Sequence, residues 1–255
     1  MNSTVKEHRK LYKTALYILL TYIFVFQLSP LLLRLPGAHD FVFGLIDAPI
    51  DEKVAILSGW WSFIFGIVSL IIIALLVNRD KNFFRIFNGE KATTAQAIGW
   101  GILGFFMVLI GQMVGTYIEM KLGIEVGSEN TASLVEIAQL APVMVIVIAI
   151  IGPILEEFVF RRVIFGSFIQ VWGFWLSAIV SAIVFAAIHF EFTHILLYTI
   201  CGLIFAFLYY KTKRLLTSIV AHILLNSFVS VVNLNIEKIQ QLVNQLQQYL
   251  DSLPK

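Results

Sequence analysis

The sequence predicts an all-α protein, a polytopic transmembrane helical bundle of about 7–8 spans, and three observations carry that prediction. Hydrophobic residues make up 59% of the 255 residues and charged residues only 13%, against about 25% charged in an ordinary soluble domain. Apolar segments recur near the length of roughly 20 residues that crosses about 30 Å of hydrocarbon. Lysines and arginines collect in short clusters between those segments rather than over a surface. No polar stretch is long enough for a separate soluble domain, so residues 1–255 read as a single membrane domain.

The apolar segments run over about 12–33, 55–77, 97–118, 141–166, 173–190, 194–210 and 215–234. The first follows the basic leader KEHRKLYK and resembles a signal peptide. Its apolar core is too long, and no small-x-small cleavage site precedes Leu35-Pro36, so it reads as a retained span. The leader (Lys6, Arg9, Lys10, Lys13), the segment 78–92 and the turn at 211–214 are basic, while 34–53 and 119–139 are richer in Asp and Glu. The positive-inside bias then puts the N-terminus in the cytoplasm of a multi-pass cell-membrane protein. TASLVEIAQLA, before Pro142, reads as an amphipathic interfacial helix, and Pro142 suits a first helical turn. The tail, 235–255, carries Ile236, Ile239, Leu242, Leu246 and Leu250 as a helical stripe opposite a Gln-rich face. It is expected to be a cap, an interfacial helix or a partner helix, outside any active site.

Composition also excludes partners. A formal net charge of +2, with scattered basic residues, gives no nucleic-acid surface. The lone cysteine, Cys201, lies in an apolar run and reads as a packing residue.

Ionisable groups at membrane depth cost at least a few kcal/mol each and usually mark function. In PILEEFVFRR (153–162), Glu157 and Arg161 stand at i and i+4 with the acid N-terminal, so they can neutralise one another. Glu156 is rotated about 100° from Glu157 and has no local partner. Arg162 is expected to snorkel to the membrane surface. His189 ends FAAIH near the close of the fifth segment, and HILLN aligns His222 and Asn226 at i and i+4, two donors suited to an anion or a developing oxyanion. A desolvated glutamate is poised to take a proton from water and return it to a leaving amine. Such a set could hydrolyse a peptide bond; it could equally carry protons or bind an ion.

Several hydrolase chemistries are excluded. There is no H-E-x-x-H, and HFEFTH spaces His189 and His194 five apart, off a common helix face. No G-x-S-x-G is present, Ser167 has no adjacent base, and every Asp lies in a loop or tail.

EEFVFR (156–161), FAAIH (185–189) and HILLN (222–226) resemble, in order, the EExxxR, FxxxH and HxxxN motifs of the CPBP family of CAAX-protease and bacteriocin-processing intramembrane peptidases, also called Abi. Each is weak alone; the ordered set is strong, and the resemblance covers about 130–233, the expected catalytic core. It implies a bundle whose cavity holds a glutamate-activated water. Glu156 would be the general base and His189 would help hold the water. His222 and Asn226 would stabilise the oxyanion; Glu157, Arg161 and Phe185 would support the site. The expectation is no cofactor, with zinc on Glu156, His189 and His222 as the alternative. The implied substrate is a membrane-bound peptide or lipidated protein, prenylated tails included. A noncatalytic immunity or scaffold protein and a proton-coupled transporter are the other readings. Straight spans give one misfit: His189, about 16 residues or ~24 Å along the fifth segment, falls on the far side of the membrane from Glu156.

Overall fold

The computed structural model describes residues 3–252, and side chains from residue 12 onward. The side chains of Lys6, Arg9 and Lys10 in the basic leader therefore lie outside the described residues. The described residues form helices and no strand. Helix α1 (Ser3–Leu20) runs on through wide π-helical turns at Thr21–Gln27, and a 3-10 segment leads to the short α2 (Ala38–Gly44). Two long helices follow, α3 (Ile50–Arg79) and α4 (Thr94–Lys121), then the shorter α5 (Glu129–Leu140). The next stretch, Val143–Ala187, is a chain of helical pieces: α6 (Val143–Ile146), π-helical Val147–Ile151, α7 (Gly152–Glu156), π-helical Glu157–Phe165 and α8 (Gly166–Ala187). Helices α9 (Ile195–Thr212), α10 (Leu215–Leu234) and α11 (Ile236–Ser252) complete the chain.

Five of these stretches are long and apolar enough to cross a membrane: α3, α4, Val143–Ala187, Phe192–Thr212 and α10. The N-terminal apolar helix, Tyr12–Gln27, is shorter. The fourth and fifth segments read from the sequence are thus one 45-residue helical run. A straight helix of that length would measure about 68 Å, more than twice the hydrocarbon core. Gly173 resolves this, with φ 73° and ψ −174°, a backbone that only glycine adopts freely. The chain folds back there: Phe165 meets Phe174 with ring centroids 6.0 Å apart, and Phe160 meets Phe185 at 5.3 Å.

Helices in lipid gain little from hydrophobic burial against one another, since the tails are equally apolar, so close backbone approach matters more. On α4, Gly101, Gly104, Gly111 and Gly115 share a face. Gly101 receives α10 at Val220, Gly104 receives Leu208 of α9 and Ala221 of α10, and Gly111 and Gly115 receive α9 at Ile200 and Leu197. Gly202 of α9 lies so close to α8 that an added Cβ would stand 2.8 Å from the Ala182 Cα. The outer faces carry exposed Ile64, Ile71, Leu75, Ile102 and Phe106, as lipid-facing helices should. Helix α5 is capped by Ser128, whose Oγ accepts from Thr131 N. Pro142 precedes α6 as its N-cap. Helix α11 buries none of its residues.

Arg162 does not snorkel. Its side chain is fully buried, with the guanidinium 3.9 Å from the centroid of Phe83, a residue of the 80–92 connection that covers it. That connection is held by Thr14, whose hydroxyl donates to Asp80 Oδ2 at 2.9 Å. Lys91 in the same loop is pushed down from its ordinary pKa, first by partial desolvation and then by repulsion from Arg214, Arg85 and Arg162.

Candidate active site

The fold-back at Gly173 sets the geometry of the site. Glu156 lies seventeen residues before it and His189 sixteen after, so the antiparallel return brings His189 level with Glu156. The placement of His189 on the far side, ~24 Å along the fifth segment, that straight spans give is corrected in this way. Glu156, His189, His222 and Asn226 all line one cavity of about 730 Å³ that also reaches Glu119 and Tyr198.

Glu157 and Arg161 form the buried pair that their spacing predicts, with Arg161 Nη2 3.2 Å from Glu157 Oε1 and both side chains fully inaccessible. The guanidinium lies 4.5 Å from the centroid of Phe185 and 5.0 Å from that of Phe205, so two aromatic faces share its charge. His222 joins the two glutamates. Its Nδ1 is 3.0 Å from Glu157 Oε1, and its Nε2 is 3.6 Å from Glu156 Oε2. A carboxylate only accepts, so Nδ1 carries the proton and donates to Glu157, which fixes the ring with Nε2 toward Glu156. The imidazole also stacks on Phe205 at 4.6 Å. Glu156 is the more accessible of the two acids, its side chain 16% exposed against 0% for Glu157.

His189 follows the last turn of α8. Its Nδ1 donates to Phe185 O at 2.9 Å, which leaves Nε2 as a free acceptor. Phe190, next in the chain, has φ 56°, an uncommon backbone for a bulky residue that turns the loop sharply after the histidine. Asn226 Nδ2 donates to Ile148 O at 3.1 Å, one of the carbonyls in the π-helical turn Val147–Ile151, and so uses one of its two N–H groups. Ser181 Oγ donates to Phe160 O, 2.7 Å away, in the other π-helical turn. Wide turns displace carbonyls from the regular ladder, and side chains of neighbouring helices take them up.

A second layer of polar residues borders the same cavity and was not singled out from the sequence. Glu119 of α4 is buried; its Oε2 is 2.8 Å from His194 Nδ1 and its Oε1 accepts from Leu197 N at 3.1 Å, at the start of α9. Glu191 accepts from Tyr198 OH (2.6 Å), Ser128 Oγ (2.8 Å) and Asn130 N (2.8 Å). The signal for Glu119 is an acid ending the apolar run GQMVGTYIE, whereas Glu191 and His194 in HFEFTH carry no spacing that points to a shared role.

The zinc set, Glu156, His189 and His222, does not close into a ligand cluster: among the described residues no three His, Cys, Asp or Glu side chains are grouped closely enough to hold a metal ion.

A family model described as type II CAAX prenyl endopeptidase Rce1-like matches residues 138–228, the stretch from the end of α5 to just beyond Asn226. The chain is 38% identical over 220 residues to "Putative membrane peptidase YdiL" of Bacillus subtilis (strain 168), covering 86% of this chain and 88% of that protein. It is 35% identical over 179 residues to "Membrane-embedded CAAX protease MroQ" of Staphylococcus aureus (strain USA300), covering 68% of this chain and 71% of that one. No solved structure matches. A multi-pass bundle with these relatives is a membrane protease. The chain belongs to the Rce1-like CAAX endopeptidase family, the one its three motifs resemble.

Proposed function

We propose that the protein is a metal-independent intramembrane endopeptidase in which Glu156 activates a water to cleave a membrane-associated peptide. The observation that carries this reading is the pairing of His222 with both glutamates, which gives the two acids different tasks. Glu157 is fully buried and committed to Arg161 and His222. Glu156 lines the cavity, and among the described residues its ion-pair contact is with His222 Nε2, at 3.6 Å. It is the acid free to take a proton from water.

In the proposed step, Glu156 accepts a proton from water while His189 Nε2 accepts the water's other hydrogen in a hydrogen bond and orients it. The hydroxide oxygen adds to the peptide carbonyl. The resulting oxyanion faces His222 and the second N–H of Asn226. Collapse breaks the C–N bond as Glu156 returns its proton to the leaving amine. The names of the relatives favour membrane peptides or CAAX-type tails as substrates. We place the N-terminus in the cytoplasm from the distribution of basic residues.

The test compares the purified protein with Glu156→Gln on a panel of membrane peptides, with and without CAAX termini. Loss of activity by at least about 100-fold is expected. Equal cleavage by both proteins removes Glu156 from the role of base, and loss of activity on adding a strong chelator removes metal independence.

A further inference from the structure

We propose that Tyr198, anchored by Glu191, is the positioning residue for His189. This rests on His189 acting as in the proposed function. The Tyr198 ring stacks on the imidazole at 4.1 Å between centroids with planes 24° apart. Phe185 meets the same imidazole edge-on at 4.9 Å. The single hydrogen bond from Nδ1 to Phe185 O would leave the ring free to swing about that contact; the stacked phenol removes this freedom and keeps Nε2 directed away from the backbone.

Tyr198 is in turn fixed by a charge-assisted bond of 2.6 Å to Glu191 Oε2. Glu191 lies two residues after His189, beyond the sharply turned Phe190, so the loop that carries the histidine also carries the anchor of its stacking partner. The same carboxylate holds Ser128 Oγ and Asn130 N at the start of α5. Segment 124–128, which lines the cavity, is therefore tied to the histidine loop through one side chain. None of these residues has a hydrogen bond to Glu156 or His222, and the contact that ties them to the proposed machinery is the stack of Tyr198 on His189.

The test has two arms. In protein labelled with 15N-histidine in micelles, with His189→Ala for assignment, Tyr198→Leu is expected to speed exchange of the His189 Nδ1 proton by about 10-fold or more, and Tyr198→Phe, which keeps the stacked ring, by much less. Unchanged exchange in Tyr198→Leu overturns the proposal. In the second arm, kinetics are measured on whichever peptide the unaltered protein cleaves best. Tyr198→Leu is expected to lower kcat by about 10- to 100-fold with KM little changed, a loss typical of second-layer partners and of small misplacements. In a His189→Ala background the same substitution should cost nothing more. An undiminished second loss there overturns the positioning role. Full activity of His189→Ala alone would instead fail the underlying function, and the exchange arm would still decide the positioning.

Discussion

At the scale of single residues, the site divides four charges among different tasks. Glu157 and Arg161 are wholly buried and paired through Glu157 Oε1, with His222 taking a further share of the same oxygen. Removing one partner of such a pair leaves an uncompensated buried charge, which costs about 3–5 kcal/mol. Arg161→Met should therefore lower the thermal midpoint in detergent sharply, while Glu157→Gln combined with Arg161→Met should recover most of that stability without recovering activity, since His222 loses its charged anchor. The i, i+4 pairing of these residues was legible in the sequence because helix periodicity alone decides it. The burial of Arg162 was not legible. A long cation near a helix end is expected in water unless a tertiary neighbour covers it, and here the 80–92 connection lays Phe83 over it. The contact of His222 with both glutamates was equally hidden, because it depends on how α10 packs, some sixty residues further along the chain.

At the scale of elements, the helical run Val143–Ala187 depends on its break at Gly173. An added Cβ there would meet no atom within 4 Å, so the cost of substitution lies in the backbone rather than in collision. Gly173→Ala is expected to destabilise the protein by about 1–3 kcal/mol, read as a lower midpoint of unfolding, and to reduce activity further by displacing His189 from the level of Glu156. The apolar pattern located both arms of this hairpin, as the segments 141–166 and 173–190. What the pattern lacked was depth: treating the two arms as independent straight spans placed the motif residues on opposite sides of the membrane. The glycine face of α4 was likewise present in the sequence, at 101, 104, 111 and 115, and identifies the side against which α9 and α10 close.

At the scale of the whole molecule, Glu191 joins two parts of the chain that are distant in sequence, the start of α5 at Ser128 and Asn130 and the segment 191–198. Partial burial alone would raise its carboxyl, but the bonds from Tyr198, Asn130 and Ser128, with His194 nearby, hold it below the usual carboxylate range. A carboxyl lowered in the folded state contributes stability above its unfolded value of about 4.3, and that contribution is lost as pH falls through the lower folded value. Stability should thus stay level from neutral pH down to about 5 on account of this group and fall below about 4. Glu191→Gln should lack that acid-side component, and limited proteolysis of segment 123–128 across the same pH range checks whether the α5 connection is what loosens. The bundle and the ordered motifs were readable from the chain, whereas the second polar layer that ties loop to loop was not, because its members carry no common spacing.

The wide turns at Val147–Ile151 and Glu157–Phe165 also make the site sensitive to residue count. Each such turn carries slack that a regular helix would not, so a one-residue deletion inside Glu157–Phe165 could be absorbed as an ordinary helix with no loss of hydrogen bonds along its axis. The remainder of the chain would then keep its direction relative to Glu156, but Phe160 O would be drawn back into the ladder away from Ser181. The protein would keep its helices and lose the hydrogen bond that ties α8 to the wide turn before it.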